Sequence, residues 1–174
     1  HMSHKPYPSR RLTHGAIDGL GRLIRKHGFA PTDIAAITAR VPPLVHRLVG
    51  RPDVAQPEAN YAKLCLRFVA GVFLARGNVD VLDFRGAEAL NDPEVHRYAA
   101  MVDVVLDDNP DLNALDPQEV SVRLADGTEH SVHLAHVYGH PAQPLTDAEN
   151  EAKFRRCMGF GRRPVTAAQA DALI

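Results

Sequence analysis

The sequence predicts an α+β fold, an antiparallel sheet with helices packed on one face. Three observations carry this. Apolar residues recur at helical spacing in segments kept apart from the strands. Three strand-like segments cluster between residues 101 and 134. Two of them flank Asp126-Gly127, the strongest short hairpin signal. Hairpin-joined strands with segregated helices read as α+β.

The elements follow in order. Pro6 and Pro8 keep the opening segment extended. Ala16, Ile17, Leu20, Leu23 and Ile24 then share one helix face, with Thr13 at the N-cap and Lys26-His27-Gly28 as the stop. Pro31-Thr32-Asp33 reads as a turn. Ile37, Ala39 and Val41 alternate with polar residues as a strand, which Pro42-Pro43 ends. Residues 51–59 are loop-like. The strongest helix runs from about Asn60 to Ala75, on a face of Tyr61, Leu64, Cys65, Phe68, Val72 and Phe73, and Gly77-Asn78 stops it. Asp92-Pro93 opens a shorter helix.

Met101–Leu106 is an apolar strand candidate. Val120, Val122 and Leu124 form the second, and Val132 and Leu134 the third. Thr146 and Glu149 have the spacing of a capping box and open a helix carrying Ala152, Phe154 and Met158. A short helix begins near Thr166. His1-Met2 reads as the remnant of a cleaved purification tag, which leaves residues 3–174 as a single domain.

Composition narrows the function. The 174 residues carry a net charge of -1 without a basic stripe, so no nucleic-acid partner is expected. No apolar run approaches the roughly 20 residues of a membrane helix. Cys65 and Cys157 form no Cys-x-x-Cys pair and read as reduced thiols of a cytoplasmic protein. Gly159-Phe160-Gly161 is too short for a phosphate loop, and Ser9 and Ser121 lack a nucleophile-elbow setting. His130, His133, His136 and His140 invite a metal reading. However, the odd spacing of the first two puts them on opposite faces of a strand, and no familiar ligand set completes a site. No metal site is expected.

The candidate site lies at the other end of the chain. Lys5, Arg10, Arg11 and His14 fall within ten positions at the entry to the first helix. The free N–H groups and dipole of a helix N-terminus favour anions. Arginine grips a carboxylate through two parallel hydrogen bonds, lysine adds a point charge, and histidine moves protons near neutral pH. The set suits a substrate with several carboxylates. A solvated basic tail is the plainer reading of the same residues.

Four segments carry a resemblance. They are Lys5-Pro6-Tyr7-Pro8-Ser9-Arg10-Arg11-Leu12-Thr13-His14 running into Ala16-Ile17-Asp18, Ala62-Lys63-Leu64-Cys65-Leu66-Arg67-Phe68, the Asp126-Gly127 hairpin, and the run from Gly139 to Glu149 followed by Lys153-Phe154-Arg155. In this order they resemble the second, smaller domain of MmgE/PrpD proteins, the family of 2-methylcitrate dehydratase-like and cis-aconitate decarboxylase-like lyases.

The resemblance implies a large helical domain beside a smaller α+β domain, with the active site in the cleft between them. This chain would be the smaller domain, residues 146–174 beginning the returning helices, and the helical domain is missing from it. Lys5 and His14 would be catalytic. Arg10, Tyr7, Arg11 and Phe68 would bind substrate. Arg10 stands where cysteine or histidine is expected, and Phe68 where many relatives have tyrosine. The substrate would be a small di- or tricarboxylic acid, the reaction dehydration, decarboxylation or epimerisation, and no cofactor would be needed. A homodimer is implied. A non-catalytic binding or dimerisation module is the alternative.

Overall fold

The computed structural model describes residues 3–161, 163 and 165–174. His1 and Met2, read as a tag remnant, lie outside them. The chain divides into two compact units. One is Tyr7–Val137; the other joins the N-terminal residues through Pro6 to Tyr138–Ile174.

The larger unit opens with a 3₁₀ turn, Arg11–Thr13, that runs into α1 (His14–His27). Gly28 stops the helix in the left-handed conformation at φ 74°, as the sequence predicts. Arg25, Lys26 and His27 in the last turn complement the negative end of the dipole. Thr13 sits at the N-cap position but does not cap. It is already helical, and its hydroxyl turns back to the Arg10 carbonyl instead.

Among the described residues four strands form one sheet: β1 (Ile34–Val41), β2 (Val102–Leu106), β3 (Gln118–Leu124) and β4 (Glu129–Leu134), in spatial order β2-β1-β3-β4. The β1–β3 and β3–β4 pairs are antiparallel, but β1–β2 is parallel, so the sheet is mixed. The parallel pairing has a simple cause. Residues 42–101 separate β1 from β2, and a connection that long can return the chain in the same direction, where a tight hairpin cannot. The hairpin itself is as expected: Gly127 takes φ 88°, and the Asp126 carboxylate accepts from the Thr128 N–H.

Alternation decides which sheet face is covered. Ile37, Ala39, Val41, Val102, Val104, Val120, Val122 and Leu124 are buried together with Ala16, Leu20 and Leu23 of α1. The opposite face carries Arg40, Asp103, Arg123 and His133, all exposed. Gly19 brings α1 close to the sheet, since a Cβ there would lie 2.4 Å from Val120 Cγ2.

Between β1 and β2 the chain forms α2 (Pro43–Val49), α3 (Ala59–Lys63), α4 (Leu66–Arg76), α5 (Gly86–Leu90) and α6 (Pro93–Ala99). The sequence reads α3 and α4 as one helix. The backbone breaks at Cys65, which is extended at φ -98°, ψ 108°. Its thiol donates to the carbonyls of Arg51 and Pro52, and the Tyr61 hydroxyl donates to Pro52 as well. The loop carrying those two carbonyls therefore fixes the break. α4 is apolar nearly all round because it is packed on two sides: Leu66, Ala70 and Leu74 join the sheet core, while Phe68, Val69 and Val72 form a second cluster with Ile17, Ala62, Cys65, Phe84 and Val95.

In the smaller unit the His4 N–H donates to the Gly139 carbonyl. α7 (Asp147–Met158) starts on the predicted capping box, with Thr146 and Glu149 bonded reciprocally. Thr166 and Gln169 repeat the device for α8 (Ala167–Asp171). Arg155 joins the two helices by pairing with Glu151 and Asp171. Both cysteines are free thiols, Cys65 buried and Cys157 exposed. Among the described residues no helix is long and apolar enough to cross a membrane.

Candidate substrate-binding site at the head of the first helix

Two prolines and a 3₁₀ turn bring residues 7–14 to the N-terminal end of α1. The turn is held from within. Ser9 and Thr13, 1% and 0% exposed, share a 2.9 Å hydrogen bond between hydroxyls. The Thr13 N–H and hydroxyl both donate to the Arg10 carbonyl, at 2.9 and 2.8 Å. It is also held from outside: the Arg10 N–H donates to the Lys63 carbonyl of α3 at 3.0 Å. Two of the segments singled out in the sequence therefore meet through one backbone bond.

On this frame His14 is fully buried, the first residue of α1. The Tyr7 ring stands edge-on to it, centroids 5.3 Å apart and planes at 89°. One turn of chain thus places an imidazole beside a phenol at the positive end of a helix. Gly15 follows, and a Cβ there would fall 1.9 Å from Gln118 Oε1. That close approach seats the head of α1 on the start of β3.

The two arginines differ. Arg10 is exposed with its backbone pinned, so its guanidinium is available to an anion. Arg11 is half-buried, and its Nε lies inside the protein. Lys5, exposed, belongs to the smaller unit. Phe68, expected to bind substrate, has no exposed surface. Its ring is tilted 6.2 Å from Phe84 and edge-on to His96 at 5.6 Å, in the cluster against which Tyr7 packs. Phe68 supports the site from below. Of the expected site residues in the larger unit, Tyr7 and His14 are in ring contact, while Arg10 faces solvent and Arg11 is half-buried.

Sequence reasoning passed over several residues here. Lys63 places its ammonium 5.7 Å from the centroid of the Phe84 ring, on the helix that receives the Arg10 N–H. His96 Nδ1 lies 2.6 Å from the Asp53 carboxylate, and its Nε2 is 2.9 Å from the Leu90 carbonyl. Burial disfavours the charged ring, yet these two acceptors outweigh it and hold the His96 pKa above the ordinary value. Asp53 lies 43 positions from His96, so no local spacing marks the pair. On the far side of the sheet core, His130 stacks on His27 with centroids 3.7 Å apart, while His133 lies on the opposite face.

The MmgE/PrpD C-terminal domain family matches residues 7–173. The chain belongs to the MmgE/PrpD family. It is also similar to cis-aconitate decarboxylase from Homo sapiens, 31% identical over 163 residues that cover 88% of this chain and 32% of that protein. The corresponding mouse protein, from Mus musculus, is 28% identical over 164 residues with the same coverage. This chain spans about a third of the length of these relatives. Tyr7, Arg10, Arg11, His14 and Phe68 all fall within the family match, and Lys5 lies two positions before it.

Proposed function

We propose that this chain is the substrate-side domain of a cofactor-independent lyase or isomerase acting on a small di- or tricarboxylic acid, by dehydration, decarboxylation or epimerisation. The observation that carries the reading is the head of α1, where an outward Arg10 and a buried His14, edge-on to the half-buried Tyr7 ring, occupy the anion-favouring end of a helix. Membership of the family and likeness to cis-aconitate decarboxylase support it.

In this reading proton removal beside a carboxylate builds negative charge on an already anionic substrate. Arg10 and Lys5 offset that charge, and His14 carries the proton or orients the group that does. Arg10 binds a carboxylate in place of a proton-transferring side chain. Phe68 has no hydroxyl with which to donate a proton or hydrogen bond. The arginine at position 10 points to a substrate different from that of relatives with cysteine or histidine there. A helical domain of the same polypeptide supplies the remaining acid and base groups in the cytoplasm, so the isolated chain is expected not to turn over.

The test uses the polypeptide that joins this chain to a helical domain, offered cis-aconitate and related tricarboxylates, with products followed by NMR. Lys5→Ala and Arg10→Ala should each lower kcat by about 10²–10³, the usual effect of losing one electrostatic contact to a transition state. Turnover within a fewfold of the parent in both variants would remove these residues from the mechanism.

A further inference from the structure

Beneath the turn that opens α1 lies a cavity of about 10 Å³, lined by Arg11, Leu12, Leu115, Asp116, Gln118 and Val137. Two polar atoms of these lining residues are buried without a hydrogen-bond partner among the described residues, Arg11 Nε and Asp116 Oδ1. Buried polar groups are almost always paired, with protein or with ordered water, so this coincidence needs a physical account. The Arg11 N–H can only donate, and the carboxylate oxygen can only accept. The other oxygen of Asp116 lies 3.6 Å from His136 Nδ1.

We propose that this cavity is a binding site for a single water molecule, which accepts from Arg11 Nε and donates to Asp116 Oδ1. The volume sets the class of ligand, since about 10–15 Å³ is the room one water needs. The charges narrow it further. A cation would press against the guanidinium and an anion against the carboxylate, whereas a neutral molecule that both donates and accepts satisfies the two at once. Gln118 provides a third partner: one amide N–H already donates to the Leu115 carbonyl at 2.9 Å, which leaves the second.

The water ties the Arg11–Thr13 turn to the segment before β3. It separates the tasks of two adjacent arginines: Arg11 anchors the turn inward, and Arg10 is left to face solvent.

The test has two arms on this chain. A high-resolution crystal structure of the unaltered protein should show one ordered water within hydrogen-bond distance of both atoms. A dry cavity, or a direct Arg11–Asp116 contact, overturns the proposal. Water deuteron magnetic relaxation dispersion then counts long-lived internal waters. Asp116→Leu, which removes the acceptor at similar size, should show one fewer than the parent, while Asp116→Asn keeps the parent count. Equal counts in a folded Asp116→Leu chain and its parent reject the site. Should that variant fail to fold, the crystal structure decides alone.

Discussion

The Arg10 N–H donates to the Lys63 carbonyl, and so binds the extended opening segment to a helix more than fifty positions further along the chain. Nothing in the side chains of either residue is needed for this bond. Its geometry depends on the turn that presents the Arg10 amide, and that turn depends on the hydroxyl pair beside it.

Thr13→Val keeps the shape but leaves the buried Ser9 hydroxyl without its 2.9 Å partner. A buried hydroxyl stripped of its bond costs about 1–3 kcal/mol. Urea unfolding should show a lower midpoint with an unchanged slope. A midpoint equal to that of the parent would mean that the hydroxyls do not hold the turn.

Two helical glycines should respond oppositely to alanine. A Cβ at Gly71 would lie 2.3 Å from the Val95 carbonyl oxygen, backbone against backbone between α4 and α6. Overpacking of about 1–3 kcal/mol then exceeds the roughly 1 kcal/mol that alanine gains over glycine in a helix. At Gly21 the nearest atom is the flexible tip of Arg25, 3.1 Å away, so the propensity term wins there. Thermal melts should place Gly71→Ala below the parent and Gly21→Ala at or above it.

His96 should make stability depend on pH. Its two ring nitrogens face acceptors, the Asp53 carboxylate and the Leu90 carbonyl, and only the imidazolium donates from both. The folded pKa is therefore raised above the unfolded value of about 6.5. The resulting stability is fully present below the unfolded pKa and is lost as pH rises through the folded one. NMR titration should find His96 protonating above the ordinary range in the parent and nearer to it in Asp53→Asn. Denaturant midpoints of the variant should change less between mildly acidic and mildly alkaline pH. A parental His96 that titrates at or below the ordinary value would contradict this.

Phe68 tests the division between support and contact. Phe68→Ala should cost about 3–5 kcal/mol, because the ring is fully enclosed by the cluster containing Phe84 and Val95. A loss under 1 kcal/mol in urea unfolding would point to a ring that is not enclosed in solution.

Much of this fold is legible in the sequence because local chemistry and tertiary demand agree. Gly28, Asp126-Gly127 and the Thr146–Glu149 box each fix the backbone within a few residues, and each appears where the pattern places it. The break at Cys65 was not legible. No proline or glycine marks it, and the carbonyls that hold it come from Arg51 and Pro52. The direction of β2 was hidden too, because an apolar run reads alike in parallel and antiparallel pairing. At the site, the cluster of cations was visible as composition. The inward turn of Arg11, the enclosure of Phe68 and the pairing of Asp53 with His96 were not, since each depends on segments distant in the chain that close around it.

The parallel β1–β2 pair imposes an order on assembly. The β3–β4 hairpin closes over a few residues, but β2 reaches β1 only after residues 42–101 have gathered into helices. Until then one edge of β1 presents unsatisfied amides and carbonyls to any passing strand. Substitutions that slow the gathering of α2 through α6 are therefore expected to raise aggregation during refolding.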